Sequence, residues 1–355
     1  MKKFTLPSAF FLLLLGIHSQ ASADMQRFAR IQALGPTNRA GDIYDAGVQS
    51  PKSAHFSTDG SKLYINALEG GQTLVYSFPA LKALGVIDHR FGAGDAKLFK
   101  DDESTVFDYP YYNGRVGAYN QFTGKPVEMA FSHGGRYLWI PYYRRSFDGN
   151  ASSPSAVAII DSKTDRIVRV MPTGPLPKYV AISPDSKLAV ITHWGDNTLG
   201  AINISSSNPA EFKYTGHWTV EQRLPTAGIG GNRDSNCGYC LRGTSFTPDG
   251  KTVLVARMGG GGIAGFEAAT GRYLGTVLNT PANPRHMVIS KDGSEIFISG
   301  NSSGVVGRYG LAGLVAALYQ ANGQRVAGPQ GRILAVGTGA RTIEISPDQK
   351  SLYVA

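Results

Sequence analysis

The sequence predicts an all-β fold, a β-propeller of four-stranded antiparallel blades, on the strength of two observations. First, a motif of about twelve residues recurs six times: an apolar residue, a turn rich in Ser, Pro, Asp and Gly, then an alternating apolar strand. Second, two more strand-like segments follow most copies, such as "TLVYSFP" and "LGVIDHR" after the first copy. Because a single blade cannot bury both of its faces, we expect the blades to stack around an axis.

Each copy is expected to form the hairpin of a blade's two inner strands, as in "FTPDGKTVLVAR", where Pro presets φ and Gly accepts a positive φ. The six copies begin at Phe56, Phe131, Ile182, Phe246, Ile289 and Ile345. The shortest spacing, 43 residues between Thr247 and Ser290, suits a blade of about 40–45 residues, and the longer spacings indicate insertions. One insertion, "LAGLVAALYQ" at 311–320, predicts a helix.

The repeat resembles the YVTN-type β-propeller repeat. "PKYVAISPDSKLAVIT" (177–192) and "PRHMVISKDGSEIFIS" (284–299) carry the pattern well, and the likeness covers roughly residues 50–355. It implies a propeller, usually seven-bladed, and says little about activity, because this fold hosts many functions.

Only about six blades are visible, and the last copy stops at Ala355 before its outer strands. Either N-terminal segments such as "RFARIQA" and "GDIYDAG" complete the last blade, or the chain is cut before a seventh blade. We favour the second account, because propellers avoid an exposed edge in mid-blade.

The N-terminus predicts export. Lys2 and Lys3 precede the apolar run "AFFLLLLGI", and the small residues "ASA" end at Ala23. This pattern predicts that residues 1–23 are a signal peptide that is cleaved near Ala23. We expect the remainder, 24–355, to form a single propeller domain in the periplasm or outside the cell, as a monomer. No later segment is apolar for the roughly eighteen residues of a membrane span.

The position after the proline that opens each copy, or its equivalent, is basic in five of the six copies. The basic residues are Lys52, Lys178, Arg242, Arg285 and Arg341, and Val127 holds the sixth place. In a propeller this position surrounds the mouth of the central channel, so the column predicts a ring of positive charge. Such a ring is costly unless an anion lies within it, which favours an anionic small molecule or an acidic protein partner. The alternative, that each cation pairs with a neighbouring Asp or Glu, stays open.

Residues that follow the second strands face the same mouth. They are Tyr142, His193, Trp194 and Arg257. With the basic column they predict an aromatic-lined, basic-rimmed ligand site. The alternative for the aromatic residues is simple packing between blades.

"PRHMV" also resembles a segment of lactonase-type seven-bladed propellers. That likeness implies that Arg285 and His286 bind or activate a ring ester, with His286 as the base and Arg285 stabilising negative charge. No supporting acidic residue is identifiable, and a structural role for His286 is the alternative. The catalytic residues therefore stay unknown, with these two as candidates.

"DSNCGYCLRG" holds the only two cysteines, Cys237 and Cys240, and an oxidising compartment favours a local disulfide. Haem attachment is excluded because Leu241 stands where a His is needed. A thioredoxin-like role needs a helix that the glycine-rich surroundings do not offer. A metal site would require the thiolates to meet two of the histidines His193, His217 and His286. We expect no metal and no cofactor.

Three functions follow from these observations. The first is an exported, non-catalytic binding or scaffold propeller with a basic, aromatic mouth. The second is a periplasmic lactonase-type hydrolase. The third is an accessory subunit of a periplasmic redox system, for which the cysteine pair is the only local hint. We do not expect nucleic acid as a partner, because a formal charge of +9 is modest for this chain length and export removes the opportunity.

Overall fold

The computed structural model describes residues 31–32, 43–99, 120–225 and 232–355. The chain divides into two compact units, Met1–Asp45 and Ala46–Ala355. In the first unit, β1 (Ile31–Gln32) and β2 (Ile43–Tyr44) form a short parallel pair. The predicted signal peptide lies outside the described residues, and so does most of "RFARIQA".

The second unit contains five four-stranded antiparallel blades, and in each the strands follow one another in chain order. Blade 1 comprises Pro51–Phe56 (β3), Lys62–Ala67 (β4), Gln72–Ser77 (β5) and Ala83–Asp88 (β6). Two connecting strands come next, Arg90–Phe91 (β7) and Phe122–Pro126 (β8). Blade 2 comprises Ala130–Ser132 (β9), Tyr137–Arg145 (β10), Ser155–Asp161 (β11) and Arg166–Thr173 (β12). The far end of β10 also pairs with β8.

The remaining blades repeat this plan. Blade 3 comprises Pro177–Ile182 (β13), Leu188–His193 (β14), Thr198–Asn203 (β15) and Lys213–Thr219 (β16). Blade 4 comprises Leu241–Phe246 (β17), Thr252–Arg257 (β18), Ile263–Glu267 (β19) and Tyr273–Val277 (β20). In blade 5, Pro284–Ile289, Glu295–Gly300 and Val305–Gly310 (β21 to β23) are followed, after an insertion, by Arg332–Ala335 (β25). Short 3-10 turns cover Ala93–Leu98, His133–Gly135 and Pro209–Glu211.

The insertion in blade 5 contains the predicted helix, α1 (Leu311–Ala321), which is therefore confirmed. The strand after it, β24 (Arg325–Val326), crosses to blade 4 and pairs in parallel with β20. None of the helices in the described part of the chain is long and apolar enough to cross a membrane.

The blade count differs from the prediction of about six blades in a seven-bladed ring. The sixth copy of the motif forms only a two-stranded sheet, β26 (Ile343–Ile345) with β27 (Leu352–Val354), so the described residues form five four-stranded blades. The motif specifies two of a blade's four strands, so counting motifs overcounts blades. Among the described residues, no third strand pairs with this terminal hairpin.

The predicted hairpins form for a local reason. In blade 4, the Thr247 hydroxyl donates to Asp249 at 2.6 Å and accepts the backbone N–H of Thr252 at 3.0 Å, which closes the turn. The same two contacts recur in four other copies, at Ser57, Ser183, Ser290 and Ser346. The second copy has Gly where these have Asp, and its inner strand β9 is only three residues long.

The apolar cores lie between adjacent blades. Trp139 of blade 2 stacks on Phe212 of blade 3 with ring centroids 5.6 Å apart. Trp218 of blade 3 stacks on Phe266 of blade 4 at 5.5 Å. Burial of apolar surface between the sheets stabilises this arrangement, and these aromatic pairs contribute to it.

Candidate functional site

The basic column occupies the starts of the inner strands. Lys52, Lys178, Arg242 and Arg285 are each the second residue of an inner strand, and Arg341 lies two residues before β26. The first residue of each of these inner strands pairs with the last residue of the second strand, as Leu241 pairs with Arg257. The five cations therefore lie at one end of the propeller, and we call them the basic mouth.

A β-bulge lies at the column position in four blades. The register between the first two strands shifts after Pro51, Pro177, Leu241 and Pro284. A bulge places two successive residues on one side of a strand, so both the column residue and the next residue can approach the channel.

The cations of the basic mouth are close enough to repel one another. Burial and the charges of Arg242 and Arg285 lower the pKa of Lys52. Burial, then the charges of Arg242 and Arg341, lowers the pKa of Arg285 to about 9. Burial and the charge of Arg242 hold the pKa of Lys178 well below its usual value. Each shift means that the charged form is destabilised in this position.

Two carboxylates partly offset this repulsion. Glu128 follows the one apolar member of the column, Val127, and its Oε1 lies 3.6 Å from Arg242 Nη2. Burial raises the pKa of Glu128, while the charges of Arg242 and Lys52 act in the opposite direction. Asp234 lies 3.6 Å from Lys178 Nζ. Among the described residues, the five cations thus have two carboxylates within 4.0 Å, and the mouth keeps a positive excess.

Aromatic rings surround the most buried lysine. Lys178 is only 6% exposed, and its Nζ lies 3.7 Å from the ring centroid of Tyr143 and 4.9 Å from that of Trp194. Arg242 also lies over Trp194, at 5.9 Å. These cation–π contacts stabilise the charges that burial destabilises. Trp194 thus lies beside two cations of the basic mouth.

The loop that carries Asp234 is fixed above this lysine. Asp234 accepts a hydrogen bond from the Tyr143 hydroxyl, and its backbone carbonyl accepts one from Trp194 Nε1 at 3.2 Å. Cys237 and Cys240 form the predicted disulfide, with their Cα atoms 4.8 Å apart, and pack against Trp194. The bridge therefore stabilises the loop beside the mouth.

Two of the predicted mouth residues lie elsewhere. Tyr142 is fully buried, and its hydroxyl is 2.9 Å from His89 Nδ1, against the β7–β8 strands. His193 is also fully buried; its Nε2 accepts the Gly174 N–H at 3.0 Å, and its Nδ1 contacts the Thr198 hydroxyl at 2.8 Å. Tyr142 thus contacts the connection between blades 1 and 2, and His193 contacts the start and the third strand of its own blade, so the structure does not bring either ring to the basic mouth.

Arg257 belongs to a separate ion cluster. It is fully buried, its Nη1 lies 3.0 Å from Glu221 Oε1, and its guanidinium stacks 4.0 Å from the ring centroid of Tyr239. Arg325 makes two hydrogen bonds to the same carboxylate, at 2.9 and 2.6 Å. This cluster fixes the insertion after α1 to the preceding blade.

The two lactonase-type candidates do reach the mouth. His286 Nε2 is 3.0 Å from the Tyr179 hydroxyl, and its Nδ1 accepts the backbone N–H of Ile343 at 3.3 Å. Burial, then the charge of Arg242, lowers the pKa of His286 to about 4, so the ring is neutral at pH 7. Both ring nitrogens are therefore already engaged.

Three contacts missed by sequence reasoning position the column. Asn66 Nδ2 donates to the carbonyl of Val127 at 2.8 Å, and Ser299 Oγ donates to the carbonyl of Arg341 at 3.1 Å. Asn66 and Ser299 occupy the same position of the motif, near the end of the second strand, and each reaches the next inner strand along the chain. A polar residue at this position thus fixes the backbone of a column residue.

The third contact is a relay. Thr192, at the same position of the motif, shares a hydrogen bond with the hydroxyl of Thr244, which donates to the carbonyl of Arg242 at 2.9 Å. Both threonines are buried. Blades 2 and 4 have Pro141 and Ala256 at this position and cannot make the bridge. The sequence did contain an indication of these bridges, because each begins at a polar residue in an otherwise apolar strand.

Comparisons with known proteins identify the fold. No known family's sequence model matches the chain, and no curated protein sequence matches it. Among solved structures, the β-propeller domain of Cps50 from Myceliophteria thermophila is 10% identical, with a TM-score of 0.56 over 86% of this chain and 80% of that chain. The chain is a β-propeller protein.

Two other solved structures give the same result. Hydrazine synthase of Kuenenia stuttgartiensis is 17% identical, with a TM-score of 0.59 over 86% of this chain and 80% of that one. A periplasmic gluconolactonase of Pseudomonas aeruginosa is 15% identical, with a TM-score of 0.55 over 92% of this chain and 75% of that one. At these identities the likeness shows the propeller fold alone, and membership of the YVTN-type group stays a prediction.

Proposed function

We propose that this β-propeller is an exported binding protein whose basic mouth holds an anionic ligand, either a small molecule or an acidic group of a protein partner. The observation that carries the proposal is the charge imbalance of the mouth, where five cations face the carboxylates of Glu128 and Asp234. Burial, then repulsion between the cations, lowers the pKa values of Lys52 and Arg285, and an anion that enters relieves the repulsion. Binding and charge relief are therefore coupled.

The arrangement also suits selective capture. Lys178 and Arg242 are held on aromatic faces at fixed positions, so little side-chain freedom is lost when a ligand binds. Lys52 and Arg341 are exposed and can attract an anion from solution.

Calorimetry with citrate as the anionic probe tests the proposal. We expect wild-type protein to bind citrate more weakly as salt rises, and the Arg242→Ala/Arg285→Ala double variant to lose on the order of tenfold or more in affinity. The matched control is Arg272→Ala/Arg308→Ala, which removes two exposed arginines paired with Glu267 and Glu295. Binding that salt does not weaken, or an equal loss in the control, would refute the basic mouth as the site.

A lactonase-type hydrolase is the second candidate. Arg285 and His286 lie together at the mouth, and a gluconolactonase shares the fold. Binding is favoured over hydrolysis because both nitrogens of His286 are engaged, which leaves no free base. Turnover of aldonolactones that His286→Ala abolishes, with citrate binding retained, would establish the hydrolase instead.

A further inference from the structure

A second layer of side chains lies directly beneath the basic mouth. It consists of the residues that follow the column positions, among them Glu128, Tyr179, Gly243 and His286. In blades 3, 4 and 5, a bulge at the column position allows the cation and the next residue to approach the channel together. Unlike the cations, this layer is mixed in chemistry, and that mixture limits what can bind below the charges.

Tyr179 and His286 join across an intervening blade. Tyr179 belongs to blade 3 and His286 to blade 5, yet the hydroxyl and Nε2 are 3.0 Å apart. Blade 4 lies between them and has Gly243 at this level. A Cβ at Gly243 would lie 2.7 Å from the carbonyl oxygen of Arg285 and 2.9 Å from the Cα of His286. Only glycine allows the inner strands of blades 4 and 5 to approach so closely.

The direction of the hydrogen bonds leaves the Tyr179 proton available. The backbone N–H of Ile343 can only donate, so Nδ1 of His286 accepts. The neutral ring then carries its proton on Nε2 and donates it to the Tyr179 oxygen. Burial, with the charges of Glu128 and Glu344, raises the pKa of Tyr179 above its usual value, so the phenol keeps its proton. Tyr179 is thus a fixed, neutral donor.

Glu128 supplies the complementary acceptor. A carboxylate accepts hydrogen bonds only, and Arg242 lies 3.6 Å from one of its oxygens, beyond normal hydrogen-bond distance. Glu128 and Tyr179 take the same position of the motif in consecutive blades, each directly after a column residue, and the charge of Glu128 contributes to the raised pKa of Tyr179. These two side chains therefore offer one donor and one acceptor next to the cations.

We infer that the ligand of the basic mouth is a hydroxy carboxylate, with its carboxylate among the cations and a hydroxyl group between Tyr179 and Glu128. A hydroxyl both accepts and donates, so one group can satisfy both side chains. It is neutral, whereas an ammonium group at this depth would be repelled by the cations above. A methylene group would leave a buried donor and acceptor unpaired, which is the more costly outcome. The inference rests on the proposed function, because the same site holds the carboxylate.

The test compares tartrate with succinate, which have the same carbon chain and charge and differ only in their hydroxyls. Calorimetry on the full chain should show tartrate binding on the order of tenfold or more tighter than succinate. Tyr179→Phe, which removes only the hydroxyl, should bring tartrate close to succinate and leave succinate unchanged. The matched control, Tyr319→Phe on the exposed face of α1, should alter neither affinity.

The outcomes separate the two proposals. Equal binding of tartrate and succinate, both weakened by salt and by the Arg242→Ala/Arg285→Ala change, would overturn the hydroxy carboxylate and leave the anion site intact. A Tyr179→Phe variant that weakens both ligands equally would overturn it as well, since the hydroxyl would then act only on the structure. Absence of binding by citrate, tartrate and succinate alike would overturn the proposed function itself.

Discussion

At the scale of single residues, one substitution can test the hydrogen-bond relay that runs from Thr192 through Thr244 to the carbonyl of Arg242. Thr192→Val keeps the shape of the side chain and leaves the buried hydroxyl of Thr244 with only its bond to the carbonyl of Arg242. We expect the free energy of unfolding to fall by about 1 kcal/mol in a urea titration, because that is the usual net contribution of one hydrogen bond. The control is Thr270→Val, whose hydroxyl contacts Glu267 in an exposed turn. A loss no larger than in the control would show that the relay contributes nothing.

Sequence reasoning about single residues is most informative where the repeat itself carries the signal, and the ligand-binding role of those residues stays a prediction. The column of cations was predictable because each copy of the motif places one residue at the same position of the ring. Glu128 was not, because it reaches the mouth from the next position along the strand, which the repeat alignment does not register. Asp234 was not either, because it lies in a loop that has no counterpart in the other copies. His193 lies at the end of a second strand, but its ring is directed into its own blade.

At the scale of the hairpin, the turn aspartates link stability to pH. Hydrogen bonds from Ser57 and Ser61 lower the pKa of Asp59 from 3.8 to about 2, and those from Ser290 and Ser294 do the same for Asp292. A carboxyl whose folded pKa is depressed stabilises the fold fully above its unfolded pKa, and that contribution is lost as pH falls through the folded pKa. The window for this loss lies between pH values of about 4 and 2.

The corresponding experiment compares wild type with the Asp59→Asn/Asp292→Asn double variant by chemical unfolding across this pH window. We expect the difference in unfolding free energy between the two proteins to shrink as the pH falls, because protonation removes what the substitutions have already removed. A difference that stays constant down to pH 2 would mean that these turns do not depend on the charged carboxylates. Most of the other copies carry a similar turn aspartate with a lowered pKa, at Asp185, Asp249 and Asp348.

Hairpins and blades differ in how far the sequence determines them. The inner hairpins follow from local chemistry, a hydroxyl and a carboxylate two residues apart. Each hairpin can therefore be predicted from its own turn residues. The outer strands and the number of complete blades depend on pairing between distant segments, as β24 shows by pairing with blade 4 after a helix. The motif count therefore gave six where the structure has five four-stranded blades and one two-stranded hairpin.

At the scale of the whole molecule, rotational repetition turns one sequence position into one continuous surface. Inner strands from separate blades contribute one cation each, and bridges such as that from Ser299 to the carbonyl of Arg341 connect neighbouring repeats at that level. Charge collects at one end of the channel because the motif repeats, and the anion that we propose as the ligand would relieve the repulsion. We therefore expect an anion to bind at the basic mouth whatever its chemical identity.

Locating an anion in crystals tests that claim most directly. Crystals soaked in selenate would be measured at the selenium edge, so that anomalous scattering marks each bound ion. We predict that the strongest peak lies in the basic mouth, within hydrogen-bonding distance of the guanidinium groups of Arg242 and Arg285. Selenate bound at arginines on the outer surface, with the mouth empty at the same concentration, would contradict the account.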